Sequence, residues 1–135
     1  MELDTVCHLY PYFKLHDVAA FKQIWKDAYA ETKANAAAEK SHQYAFSFST
    51  DANGQTTACC RESYADAASL KLHIDNVLGP FGACLAPEIA ELDHIEIHAP
   101  AAELPSIKEH GALHANLAKM EYSVIGWGFR NATTI

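Results

Sequence analysis

The sequence predicts an α+β domain of split βαββαβ order, the ferredoxin-like arrangement, extended by a C-terminal helix and strand. Three observations predict it. Apolar spacing switches between steps of two and steps of three or four, in the order strand, helix, strand, strand, helix, strand. An aspartate, Asp17 or Asp66, stands where each long helical pattern begins. Asp51-Ala52-Asn53-Gly54 supplies turn chemistry between two adjacent extended runs. With 135 residues, 50% of them hydrophobic and 20% charged, the chain has room for one domain with a substantial core.

Each element has its own signal. Thr5 to Phe13 is rich in β-branched and aromatic residues and reads as the first strand. Val18, Phe21, Ile24, Trp25, Ala28 and Tyr29 share one face of a helix whose other face carries Lys22, Lys26, Asp27 and Lys33. That helix fades through the alanine-rich stretch from Asn35 to Glu39. Tyr44, Phe46 and Phe48 alternate with small residues, and after the turn Thr57 to Tyr64 resumes an extended pattern, which makes a β-hairpin. In the second helix Leu70, His73, Ile74, Val77, Leu78 and Phe81 share a face, and Gly79-Pro80 is expected to end or kink it. Residues from Gly82 to Ala90 fit no single pattern, beyond a short helical piece after the break. His94-Ile95-Glu96-Ile97-His98 alternates strictly, so it reads as a strand with both isoleucines in the core. Pro105 to Leu117 reads as a short helix and Glu121 to Phe129 as a last strand.

Charge and cysteines narrow the function classes. Against 17 acidic residues stand 10 basic ones, a net charge of −7, and the only arginines are Arg61 and Arg130. With the basic residues scattered, nucleic-acid binding is not expected. The N-terminus Met1-Glu2-Leu3-Asp4 has no basic stretch followed by an apolar run, and no apolar run approaches the roughly 18 residues of a spanning helix. A cytoplasmic protein without membrane contact is therefore expected, and the Asn131-Ala132-Thr133 sequon carries no weight. Cys7, Cys59, Cys60 and Cys84 lack CxxC spacing and read as reduced, buried thiols. Several strands look apolar or aromatic on both faces, as in Tyr122 and Val124 opposite Ile125 and Trp127. Helices cover only one side of such a sheet, so a second subunit packed sheet to sheet is expected, the alternative cover being the C-terminal segment folding back.

The run Ala58-Cys59-Cys60-Arg61-Glu62-Ser63-Tyr64-Ala65-Asp66-Ala67-Ala68-Ser69-Leu70-Lys71-Leu72-His73 resembles the antibiotic biosynthesis monooxygenase family. In that family the third strand and second helix often read glutamate, aromatic, acidic cap, small residues, then histidine. Glu62, Tyr64, Asp66 and His73 match, over roughly residues 42 to 82. The resemblance implies a homodimeric α+β barrel with a small-molecule cavity between sheet and helices. It further implies oxidation of quinol-like or polyketide aromatic compounds by molecular oxygen, with no flavin or metal cofactor. Many members have no known activity. The chain also departs from the better-defined monooxygenases, having Tyr64 where they resemble one another in an Asn and Trp near the cleft.

Two readings of the chemistry follow. In one, Glu62 orients His73, which takes a phenolic proton, since the anion so formed is what reacts with oxygen. In the other, His73 is a core-edge histidine and Glu62 satisfies it. Tyr64, Trp25 and Phe46, with Tyr29, Phe48 and Trp127, either line a pocket for a flat aromatic substrate or are ordinary core. Arg61 either anchors an anionic substrate, bridges subunits or sits in a surface ion pair. His94, Glu96 and His98, with His8 on a neighbouring strand, form a weak candidate metal strip that equally serves as the polar side of a half-buried strand. The function classes are accordingly a cofactor-independent monooxygenase or a non-catalytic dimeric module that binds a small ligand or regulates a partner.

Overall fold

The computed structural model describes residues 5–114, 117 and 119–128. The chain follows the order β1 (Cys7–Leu15), α1 (Val18–Asn35), β2 (Ser41–Thr50), β3 (Thr56–Tyr64), α2 (Ala67–Cys84), β4 (Ala90–Ala99), α3 (Leu104–Gly111) and β5 (Met120–Val124). The five strands form one sheet in the order β2-β3-β1-β4-β5. Every pairing is antiparallel except the β4–β5 edge, where α3 makes the crossover a parallel pair requires. Four strands and two helices thus give the expected ferredoxin-like unit, and α3 and β5 extend it.

Local chemistry sets the boundaries. The Asp17 carboxylate accepts from the Ala20 N–H at 3.0 Å and opens α1, and Asp66 accepts from the Ser69 N–H at 2.8 Å and opens α2. In the hairpin, Asp51 Oδ1 accepts from the Asn53 and Gln55 amides, and Gly54 takes a left-handed φ of 81°. Cys7, Leu9, Phe13 and Leu15 of β1 point to the helices, as do Ile95, Ile97 and Ala99 of β4. There they meet Phe21, Leu70, Ile74 and Phe81 from α1 and α2, and Leu104 and Ile107 from α3. No helix among the described residues is long and apolar enough to cross a membrane.

Several expectations are corrected. α2 does not end at Gly79-Pro80: it runs on to Cys84 with Pro80 inside it. Its apolar face through Leu70, Ile74 and Phe81 is buried, and that packing outweighs one missing N–H. The helix read over Pro105 to Leu117 stops at Gly111, and the last strand stops at Val124 rather than Phe129. Ile125 makes the final bond to the ladder, to the Ala99 carbonyl, and the glycine-flanked Trp127 beyond it is 75% exposed. Phe129, Arg130 and the Asn131-Ala132-Thr133 sequon lie outside the described residues, as does Met1-Glu2-Leu3-Asp4.

The sheet's other face is also less apolar than expected. His8, Tyr10 and Tyr12 of β1, Cys59 of β3 and His94, Glu96 and His98 of β4 all stand on it half-buried, with Arg61 exposed among them. Tyr12 stacks on His94 with ring centroids 4.5 Å apart, and Tyr10 meets His98 edge-on at 5.4 Å. Tyr44 and Phe46, which alternate with small residues along β2, point to the helix side, where Phe46 meets Phe21 and Trp25.

Candidate functional site

The end of α1 supplies a residue that sequence reasoning missed. After Asn35 the chain turns through Ala36-Ala37-Ala38, and Lys40 adopts a left-handed φ of 47°. The Ser41 amide returns to the Ala36 carbonyl, and the Lys40 carbonyl accepts from the Ala65 N–H at 3.1 Å. This tight turn carries the Glu39 side chain inward until only 1% of the residue is exposed. An acid at the tail of an alanine run normally reads as solvated, and no spacing in the sequence marks it otherwise.

Glu39 meets His73, which is 2% exposed. One imidazole nitrogen, Nδ1, lies 2.8 Å from Glu39 Oε1, and the other, Nε2, lies 2.7 Å from Glu62 Oε1. The Tyr64 hydroxyl donates to that same Glu62 oxygen at 2.7 Å, and Asn76 Nδ2 donates to Glu39 Oε2 at 2.8 Å. The His73 ring also stacks against Tyr64 at 4.8 Å and meets the edge of Tyr44 at 5.8 Å. Tyr64, Glu62, His73, Glu39 and Asn76 therefore form one chain of polar contacts drawn from β3, α2 and the turn after α1, buried from Tyr64 to Glu39 and reaching the surface at Asn76.

Electrostatics decide the ring's state. Burial alone favours neutral imidazole, but attraction to Glu62 and hydrogen bonds to Glu39 and Glu62 more than reverse this, and the pKa of His73 is raised to about 9. Burial likewise works against the Glu39 anion, yet hydrogen bonds from His73 and Asn76 hold its pKa below the usual carboxylate value. Burial first, then the neighbouring Glu62, push the Tyr64 phenol far up, so it stays a donor. At neutral pH His73 is thus an imidazolium with a carboxylate at each nitrogen. Glu62 and His73 do come together, but the ring is loaded with its proton rather than waiting to accept one.

Several spaces adjoin this chain, among them a hollow of about 170 Å³ lined by Glu39 and Tyr44. A cavity of about 40 Å³ lies between sheet and α2, where Glu62 and His73 meet Leu9, Ile74, Phe81 and Ile95. It has room for a water or a diatomic molecule, not an aromatic ring, since even benzene occupies a cavity of roughly 150 Å³. A wider groove of about 410 Å³ runs between α1 and β2, lined by Trp25, Tyr29, Tyr44, Phe46 and Phe48 together with Lys22 and Lys26. Trp25 and Phe46 both line this groove. Tyr64 does not join them, being fully buried in the polar chain. Arg61 lies on the opposite face of the sheet, its guanidinium donating to the Ser47 hydroxyl at 3.3 Å. Tyr44 links groove and chain, lining one while touching His73 in the other.

The strip on β4 is regrouped. His94 and Glu96 lie close enough to share an ion with Glu121, which β5 sets directly beside Glu96, so Glu121 takes the place expected for His98. His98 instead packs against Tyr10. All four cysteines are free: Cys7, Cys60 and Cys84 are buried and Cys59 is half-buried. Burial pushes the Cys7 and Cys84 thiols up to about 12, which keeps them inert.

Fold and site together define an α+β ferredoxin-like protein with an added parallel strand and a buried histidine held between two carboxylates. No protein-family model matches the sequence, and no curated protein matches it. Among solved structures, the crystal structure of MupZ from Pseudomonas fluorescens matches 100% of this chain and 96% of that chain, with a TM-score of 0.74 and 22% sequence identity. At this identity the likeness shows a shared fold.

Proposed function

We propose that the protein is a small-ligand-binding module that takes a flat aromatic compound carrying an acidic group into the α1–β2 groove and works as a homodimer. The observation that carries this reading is the groove itself. Its volume of about 410 Å³ is that of a small-molecule site, its walls are the rings of Trp25, Tyr44, Phe46 and Phe48, and Lys22 and Lys26 supply positive charge. Aromatic walls favour a planar ligand, and lysines beside them favour an anionic group on it. The dimer is supported by the half-buried rings of Tyr10, Tyr12, His94 and His98 on the face that no helix covers. Fluorescence of Trp25 in a Trp127→Phe background, titrated with hydroxynaphthoic acids, tests the ligand. Saturable quenching that Phe46→Ala weakens is expected, and quenching that is linear or unaffected by Phe46→Ala rejects it. Light scattering at twice the chain mass is expected, and the monomer mass rejects the dimer.

A second reading, cofactor-independent monooxygenation as the resemblance to the antibiotic biosynthesis monooxygenases suggests, is favoured by the cavity of about 40 Å³ that meets both Glu62 and His73. In this reading His73 must first give up the proton its carboxylate neighbours hold on it. Oxygen uptake with hydroquinones or anthrone-like phenols should then rise with pH towards about 9, the pKa of that ring, and be lost in His73→Ala. Uptake no faster than the substrate's own autoxidation, or unchanged in the variant, rejects it.

A further inference from the structure

We propose that Asp75, His110 and His114 form a site for one zinc-type divalent cation, which ties the end of α3 to the middle of α2. The three residues come from two elements and converge: Asp75 stands on α2, His110 in the last turn of α3 and His114 just past it. Their donor atoms all lie within 4.8 Å of one another. His110 Nε2 is 2.8 Å and His114 Nε2 is 3.8 Å from the same oxygen, Asp75 Oδ1.

These separations bracket what a metal needs. Ligand bonds of about 2.0–2.1 Å in tetrahedral geometry place donor atoms about 3.3 Å apart, so each imidazole–carboxylate separation is within about half an ångström of that value. The spacing of four residues keeps both imidazoles on one side of the chain, and their rings already meet edge to face at 5.4 Å. Two imidazole nitrogens and one carboxylate oxygen suit a borderline ion such as zinc and leave a fourth position for water. The His94, Glu96 and Glu121 group offers one imidazole and two carboxylates, and its His94 Nδ1 already contacts Asp93 at 3.1 Å. It is the poorer site for such an ion.

The position has a consequence for the fold. At Gly111, between the two histidines, the backbone approaches β5 so closely that an added Cβ would lie 3.0 Å from Met120 Sδ and 3.3 Å from the Tyr122 hydroxyl. A cation beside it would fix the whole β4–α3–β5 crossover against α2.

Competition of untagged protein with a chromophoric chelator for Zn(II) tests the proposal. One zinc per chain is expected, with binding unchanged in His94→Ala. Removing an outer-shell partner of a metal ligand already costs about tenfold to a hundredfold, so His110→Ala and His114→Ala should each weaken binding by at least about tenfold. His114 lies beyond α3 and only partly buried, so its removal spares the helix, and zinc should raise the melting midpoint of the wild type but not of His114→Ala. No zinc bound at tenfold excess, binding undiminished in both histidine variants, or loss only in His94→Ala would each overturn the site.

Discussion

Raising the pH from 6.5 to 9 should unload His73 and with it a measurable part of the folding free energy. An unfolded chain binds this proton with the ordinary histidine pKa of 6.5, whereas the native ring, between Glu39 and Glu62, holds it to about 9. Below pH 6.5 both states carry the proton and the stabilisation is complete. Between the two values only the native state carries it, so stability falls by about 1.4 kcal/mol per pH unit, in all about 3 kcal/mol. That is a large share of the 5–15 kcal/mol typical of such domains. The thiols act at the top of this window: Cys7 and Cys84, moved from 9 to about 12, and Cys59 and Cys60, also raised, begin to cost stability as the unfolded chain's thiols ionise near pH 9, in the wild type and the variant alike. Urea unfolding at pH 6, 7.5 and 9, in the wild type and in His73→Gln, measures the effect. Between pH 6 and 7.5 a decline in the wild type and a nearly flat profile in the variant are expected, and at pH 9 both also carry the loss from the thiols. Equal slopes in the two proteins, or an imidazole NMR titration centred near 6.5, would refute the reasoning.

Glu39→Ala leaves His73 Nδ1 and Asn76 Nδ2 without their carboxylate, and breaking a buried pair from one side costs about 3–5 kcal/mol, which denaturant midpoints will register. Lys40→Gly acts the other way: a left-handed φ of 47° strains any side-chain-bearing residue, so glycine should stabilise the turn. The gain is below the roughly 1–2 kcal/mol cost of that conformation, because glycine also frees the unfolded chain, and thermal melting shows its sign. Asp66→Ala removes the cap of α2 and should cost about 1 kcal/mol in urea unfolding.

What the sequence disclosed follows from which forces act locally. Caps and alternation are short-range, so Asp17, Asp66, the hairpin turn and the Ile95/Ile97 strand could be read from neighbouring residues. The pairing of Glu62 with His73 was legible too, since strand parity and helix spacing bring both to one layer. Glu39 was not, because its burial depends on a turn made of alanines and one left-handed lysine. Helix ends at Gly111 and Cys84 were misjudged for a related reason: tertiary packing holds α2 together through Pro80, whereas past Gly111 the amides of Leu113 and His114 close tight turns on His110 and Gly111 instead of continuing the helix. The open face was misread as greasy because periodicity reports alternation without saying which side the helices take.

Glu39 is separated from His73 by 34 residues and from Asn76 by 37, and between them lies the entire β2–β3 hairpin. The clasp can close only once α1, the hairpin and α2 are all in place, so it forms late in folding and opens early in unfolding. Interactions absent from the transition state leave the folding rate alone and set the rate of escape from the native state. In stopped-flow traces Glu39→Gln should therefore steepen unfolding and spare refolding. The buried ion cluster then acts as a latch on the native state's lifetime, holding an assembled domain shut rather than guiding its assembly.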